Sequence, residues 1–111
     1  MSDDIDREHM EFINRHEGKY VLVRCDRSGV HFGVLRRANG KGFVSLTDAR
    51  RIWQWKGAFT ISRMANAGLD LSGSKLSERL AEQDLNDAIE VIPCSDRAAK
   101  QLSEAPEWVP V

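Results

Sequence analysis

Residues 20–49 read YVLVRCDRSGVHFGVLRRANGKGFVSLTDA, and the spacing of apolar runs and turn residues in this stretch decides the fold. Residues 19–25 (KYVLVRC) are rich in β-branched and aromatic side chains, which suit a strand. DRSG (26–29) is a turn signal, and VHFGVLRR (30–37) reads as a second strand with Val30, Phe32 and Val34 alternating onto one face. Gly33, inside that strand, predicts a tight bend or a close backbone approach. ANGKG (38–42) closes a hairpin through Asn39-Gly40, and FVSL (43–46) begins a third strand.

Working outward, LTDARRIWQW (46–55) admits two readings. Thr47 or Asp48 could cap a helix, or the segment could stay extended. Extended, it places Ala49, Arg51, Trp53 and Trp55 on one face and Arg50, Ile52 and Gln54 on the other. Two tryptophans and an isoleucine within a few residues favour the strand. TISRMANAG (60–68) reads as a short helix capped by Thr60 or Ser62 and ended by Gly68. Residues 69–87 are polar and loop-like, with a short strand at about 75–80. AIEVIPC (88–94) is a strand stopped by Pro93, and residues 95–105 make a helix with Ser95 as N-cap. The tail PEWVPV is extended, with Trp108 packing back onto the body. Upstream, residues 4–17 place Ile5, Phe12 and Ile13 near one face of an amphipathic helix that Gly18 terminates.

The expectation is a mainly β, α+β fold: a small antiparallel barrel with an N-terminal helix, an inserted short helix and a C-terminal helix. At 111 residues the chain forms one domain. Its parts are the N-terminal helix (1–18), a barrel (19–94) with an insertion at about 50–83, and a C-terminal helix and tail (95–111). No apolar run approaches the roughly 20 residues that span a bilayer, and the acidic start is no signal peptide. A cytoplasmic location without membrane contact is expected. Cys25 and Cys94 form no paired motif and read as small buried hydrophobes at strand ends. His9, His16 and His31 are scattered. No zinc spacing and no catalytic constellation is present, so neither enzymatic activity nor a metal or other cofactor is expected.

The net charge of −1 conceals a polarity. Residues 1–17 carry −4, residues 19–63 carry +8 and residues 64–111 carry −5. A basic block inside a neutral protein points to an anionic partner on one surface, unless folding interleaves the acidic segments with it. The block's densest part, ARRIWQWKGAF (49–59), holds two of the three tryptophans. Tryptophan faces stack on bases, and arginine chelates phosphate oxygens. Arg50, Arg51, Trp53, Trp55 and Lys56 are therefore candidate ligand contacts. Thr60, Ser62 and Arg63 join them as a phosphate seat at the N-terminus of the short helix. Arg36, Arg37 and Lys41 form a second basic loop. The competing reading packs the tryptophans in the core or an oligomer interface and pairs Arg50 and Arg51 with Glu78, Glu82 or Asp84.

The strand set resembles the first motif of Sm-like proteins, an SH3-like small barrel. The features that carry it are Val21 to Val23, Gly29, Phe32-Gly33-Val34-Leu35 and Leu46-Thr47-Asp48-Ala49, with AIEVIPC similar to the carboxyl-terminal strands. That resemblance implies a barrel, a homo-oligomeric ring and RNA or single-stranded DNA as partner. The Sm base-reading acid and asparagine are replaced here by RRANGKG, and the Arg-Gly before the fourth Sm strand is absent. The whole chain, through LTDARRIWQWKGAFTISRMANAG, AIEVIPC and a closing EW, resembles short proteins of tailed phages and prophages that have no assigned function. This implies a phage-encoded protein in the host cytoplasm. Three functions follow as expectations. The first is a non-enzymatic nucleotide binder that sequesters cyclic nucleotide or cyclic ADP-ribose defence signals. The second is a nucleic-acid-binding ring, and the third an interaction or virion-accessory protein without a ligand.

Overall fold

The turns of residues 20–49 fold the chain into an antiparallel meander. Strands β1 (Tyr20–Cys25), β2 (Val30–Ala38) and β3 (Val44–Gln54) pair in sequence order, with Leu22 opposite Phe32 and Val30 opposite Ile52. The computed structural model describes residues 15–109, so the helix expected over 4–17 lies, but for its end, outside the described residues. Among the described residues six strands form one sheet flanked by two α-helices, an α+β fold with a barrel-like sheet. Strands β4 (Lys75–Leu76) and β5 (Leu80–Leu85) pair one after the other along β3, while β6 (Ala88–Pro93) returns to pair with β1. No helix among the described residues is long and apolar enough to cross a membrane.

The sheet is buried on both faces. Val21, Val23, Cys25, Leu35, Leu46 and Leu85, drawn from strands alone, pack together on its concave side. Leu22, Phe32 and Ile52 point the other way, onto helix α1 (Ile61–Ala67) through Met64 and Ala65 and onto helix α2 (Asp96–Glu104) through Leu102. This is why β1 reads as a continuous apolar run rather than an alternating one.

One bulge sets which side chains of β3 reach the surface. Asp48 adopts φ 48°, and the β2–β3 register shifts by one residue beside Gly33. A Cβ on Gly33 would stand 3.0 Å from the Thr47 carbonyl oxygen and 3.2 Å from Ala49 Cα. The expected close backbone approach is therefore present. The extra residue reverses the alternation. Ala49 faces the concave core, Arg50 and Ile52 turn under the helices, and Arg51 and Trp53 face outward.

The extended reading of residues 47–54 is correct, and the short helices begin at Thr60 and Ser95 caps as expected. Two expectations need correction. A second register shift, between Ile52 and Gln54, takes Trp55 off the face of Trp53, and it packs half-buried against the helix-side core. The stretch expected as loop contains β5, whose LAEQDL is exposed except at Gln83 and Leu85 and so lacks an apolar signal. Sheet strands thus occupy residues 50–54 and 80–83, and the excursion out of the sheet is shorter than the expected insertion.

Candidate functional site

Trp53 emerges on the outer face near the end of β3, with 48% of its surface exposed. Lys75 of β4 lies beside it, because Gln54 pairs with Lys75 in the ladder. Beyond α2 the tail comes back along β4, and the Trp108 amide donates to the Leu76 carbonyl at 2.9 Å. This seats the Trp108 ring edge-on to Trp53, with centroids 5.1 Å apart and planes at 78°. The Lys75 ammonium lies 4.9 Å from the Trp53 centroid and 4.4 Å from that of Trp108. Such distances are within the range of a cation–π attraction. Two half-exposed indoles and one ammonium thus form an outward-facing platform, completed by Lys75 and Trp108, which sequence reasoning did not place there. Only the expectation that Trp108 packs back on the body pointed toward it. Nothing in the local sequence announced Lys75, because its neighbour β4 is two residues long.

Lys56 borders the same region. Its amide donates to Ser74 Oγ at 3.1 Å, and its aliphatic stem crosses Gly73, where a Cβ would come within 2.5 Å of Lys56 Cδ. Gly57, at φ 87°, lets the chain pass Asp70 closely; a Cβ there would meet the Asp70 nitrogen at 2.7 Å. Phe59, just beyond, is fully exposed.

The remaining expected residues are dispersed. Arg50 is not on the surface: it is 1% exposed, and its guanidinium donates to the carbonyls of Ser77 (2.9 Å), Leu102 (3.0 Å) and Ala105 (2.6 Å). It satisfies carbonyls at the end of α2, as a cation at a helix C-terminus should. Burial, followed by the proximity of Arg79, lowers its pKa from the ordinary arginine value. Arg51 is exposed but lines a cleft of about 620 Å³ with the carboxylates of Asp26, Asp84 and Asp87. Those acids weaken its hold on a second anion.

The expected phosphate seat lies at the start of α1. Thr60 Oγ1 accepts the Arg63 amide at 3.1 Å, so the seven-residue α1 already caps its own N-terminus; Ser62 and Arg63 are exposed beside it. The second basic loop sits at the far end of β3, roughly 30 Å from Trp53 at 3.3 Å per residue. There Arg36 pairs with Glu82 at 3.1 Å, Arg37 is exposed, and Lys41 donates its amide to Asn39 Oδ1 at 2.7 Å. The structure therefore groups Trp53 with Lys75 and Trp108, sets the Lys56 backbone beside Ser74, and separates them from the other expected residues.

Another polar cluster lies under the β5–β6 turn. Asp87 accepts the Arg27 and Ser28 amides at 2.7 and 3.3 Å, which lowers its pKa. The hydroxyl of Ser28 lies 3.1 Å from Nε2 of His31, which is fully buried. Desolvation, then the nearby Arg51, lowers the His31 pKa and keeps the ring neutral. Cys25 is buried at the end of β1, and Cys94, just past β6, has its thiol pKa pushed up to about 12 by burial. Neither thiol is poised for nucleophilic chemistry.

A family model described as a domain of unknown function, DUF6948, matches residues 18–102. The chain belongs to this family. The match runs from two residues before β1 into the last turn of α2, so it covers the sheet, α1, most of α2, Trp53, Lys56 and Lys75 and stops short of Trp108. No curated protein and no solved structure matches the chain.

Proposed function

We propose that this chain is a non-enzymatic nucleotide-binding protein. The observation that carries the reading is the half-exposed Trp53 indole held on a rigid strand, with Lys75 beside it and Lys56 at its border. A base stacked on such a ring gains about 1–3 kcal/mol, and two ammonium groups supply the charge that a phosphate requires. Lys75 has no ion-pair partner among the described residues and so remains available to an anion, whereas the charge of Lys56 also reaches the Asp70 carboxylate.

The resemblance to short tailed-phage proteins supports a phage origin. A compact phage-encoded binder in the host cytoplasm would sequester cyclic nucleotide or cyclic ADP-ribose defence signals. Self-association fits this reading. The outer edges of β5 and β6 have no strand partner among the described residues, and Leu80 and Ile89 are exposed along them.

A second reading, binding of single-stranded RNA or DNA, is favoured by the openness of the platform, which faces solvent rather than an enclosed cavity and could accept successive bases of a strand. Native mass spectrometry of the purified protein tests both, with nucleotides identified in its denatured extract. A symmetric oligomer releasing a phosphorylated small molecule supports the sequestering reading. An empty protein that shifts oligonucleotides at low salt supports the second. An oligomer that binds neither leaves only an interaction role.

A further inference from the structure

We infer that Trp53 and Trp108 are the fixed and the movable wall of one slot for the base of a nucleotide, with Lys75 exchanging its cation–π contact for the phosphate. This deepens the proposed function and rests on it.

The two walls differ in how they are held. Trp53 stands in β3 between two paired residues: Ile52 faces Val30 and Leu76, and Gln54 faces Lys75. Trp108 stands on a tail whose last buried residue is Ala105, gripped by Arg50. Past that point Pro106, Glu107, Trp108 and Val109 are all exposed, and the tail touches the sheet through the amide bond to Leu76 and the Trp108 ring against Trp53 and Lys75. Few buried contacts and one edge hydrogen bond make a segment of low local stability.

The rings now meet edge to face with centroids at 5.1 Å, too close for a third ring. A sandwiched base requires parallel walls separated by twice the roughly 3.5 Å contact distance of carbon atoms. A swing of the tail about Ala105–Pro106 supplies that opening without disturbing β3. A groove of about 210 Å³ runs along the tail, lined by Leu71, Leu76, Pro106, Glu107 and Trp108 but not by Trp53 or Lys75, and leaves the tail room to move. Glu107 places a carboxylate on the tail side, so the anionic end of a ligand is directed away from it, toward Lys75 and Lys56. The Lys75 ammonium lies against both rings, 4.9 Å from the Trp53 centroid and 4.4 Å from that of Trp108. On binding, the base replaces it and the phosphate captures it.

The test measures dissociation constants for adenosine, AMP and a short oligothymidylate with the full chain and its variants. Trp108→Ala should weaken AMP at least about tenfold, as much as Trp53→Ala, while Trp108→Phe retains most of the affinity. The double variant should be little worse than either single one, because a slot missing one wall has lost the sandwich. Lys75→Met should weaken AMP but not adenosine. Unfolding midpoints of all variants should stay close to wild type, since both rings are half exposed. If Trp108→Ala binds like wild type while Trp53→Ala fails, the slot is overturned and the nucleotide reading stands. If the wild-type chain binds none of the three probes the slot is overturned, and the proposed function falls with it only if cyclic dinucleotides and cyclic ADP-ribose fail to bind as well.

Discussion

Arg50 Nη1 lies 2.6 Å from the Ala105 carbonyl oxygen and 3.0 Å from that of Leu102, so a fully buried cation of β3 ties the sheet to the end of α2. Replacing it removes a guanidinium and leaves buried carbonyls without donors. Arg50→Met should lower the unfolding free energy by about 3 kcal/mol. Arg50→Lys should recover only part of this, because an ammonium cannot reproduce the fork that reaches Ser77 and the helix end together. Urea titration followed by circular dichroism measures both.

Gly33 is fixed by space rather than by backbone angle. A side chain there presses on the Thr47 carbonyl and the Ala49 backbone, the atoms that form the Asp48 bulge. Gly33→Ala should cost about 2 kcal/mol. It should also perturb the alternation downstream, so the exposure of Trp53 to acrylamide quenching changes as well. A variant of unaltered stability would contradict the packing described.

His31 sets an acid limit on stability. Its folded-state pKa is lowered by burial and by Arg51, so the unfolded chain takes up a proton near the ordinary value of 6.5 while the folded chain resists it. The stabilising difference is fully present above about pH 6.5 and is lost as pH falls below it. Asp87, also lowered, adds loss only below its ordinary value of 3.8. The urea midpoint should therefore fall by an amount equal to about 1 kcal/mol between about pH 7.5 and about pH 5, and His31→Asn should flatten that slope.

Lys56 and Arg51 should differ as ligand contacts despite lying five residues apart in the sequence. The Lys56 amide is held by Ser74, next to Lys75 in the chain, whereas Arg51 shares its cleft with three carboxylates. Lys56→Ala should weaken AMP about fivefold and Arg51→Ala less than twofold, about 1 kcal/mol against a few tenths. Fluorescence titration at low salt reads the difference.

The meander was legible because each of its signals was local: Asn39-Gly40 for the hairpin, β-branched residues for β1, Thr60 and Ser95 for the helix caps. Strand β5 was not, because LAEQDL stands almost wholly in solvent and owes its conformation to pairing with β3. The candidate site was legible in type and not in membership. Chain order puts Arg50 and Arg51 side by side, but strand alternation sends one inward and the other out, and the bulge at Asp48 decides which. Lys75 and Trp108 reach Trp53 through strand pairing and a returning tail. The sequence separations of 22 and 55 residues carry no trace of either contact.

The central claim is that a base stacks on Trp53. Its most direct test is calorimetric titration of wild-type and Trp53→Ala protein with a nucleotide panel that includes cyclic dinucleotides and cyclic ADP-ribose. At least one nucleotide should bind the wild-type chain with quenching of tryptophan fluorescence. Trp53→Ala should lose at least about tenfold in affinity, or about 1.4 kcal/mol, at an unchanged unfolding midpoint. A panel without binding, or binding that Trp53→Ala leaves intact, would contradict it.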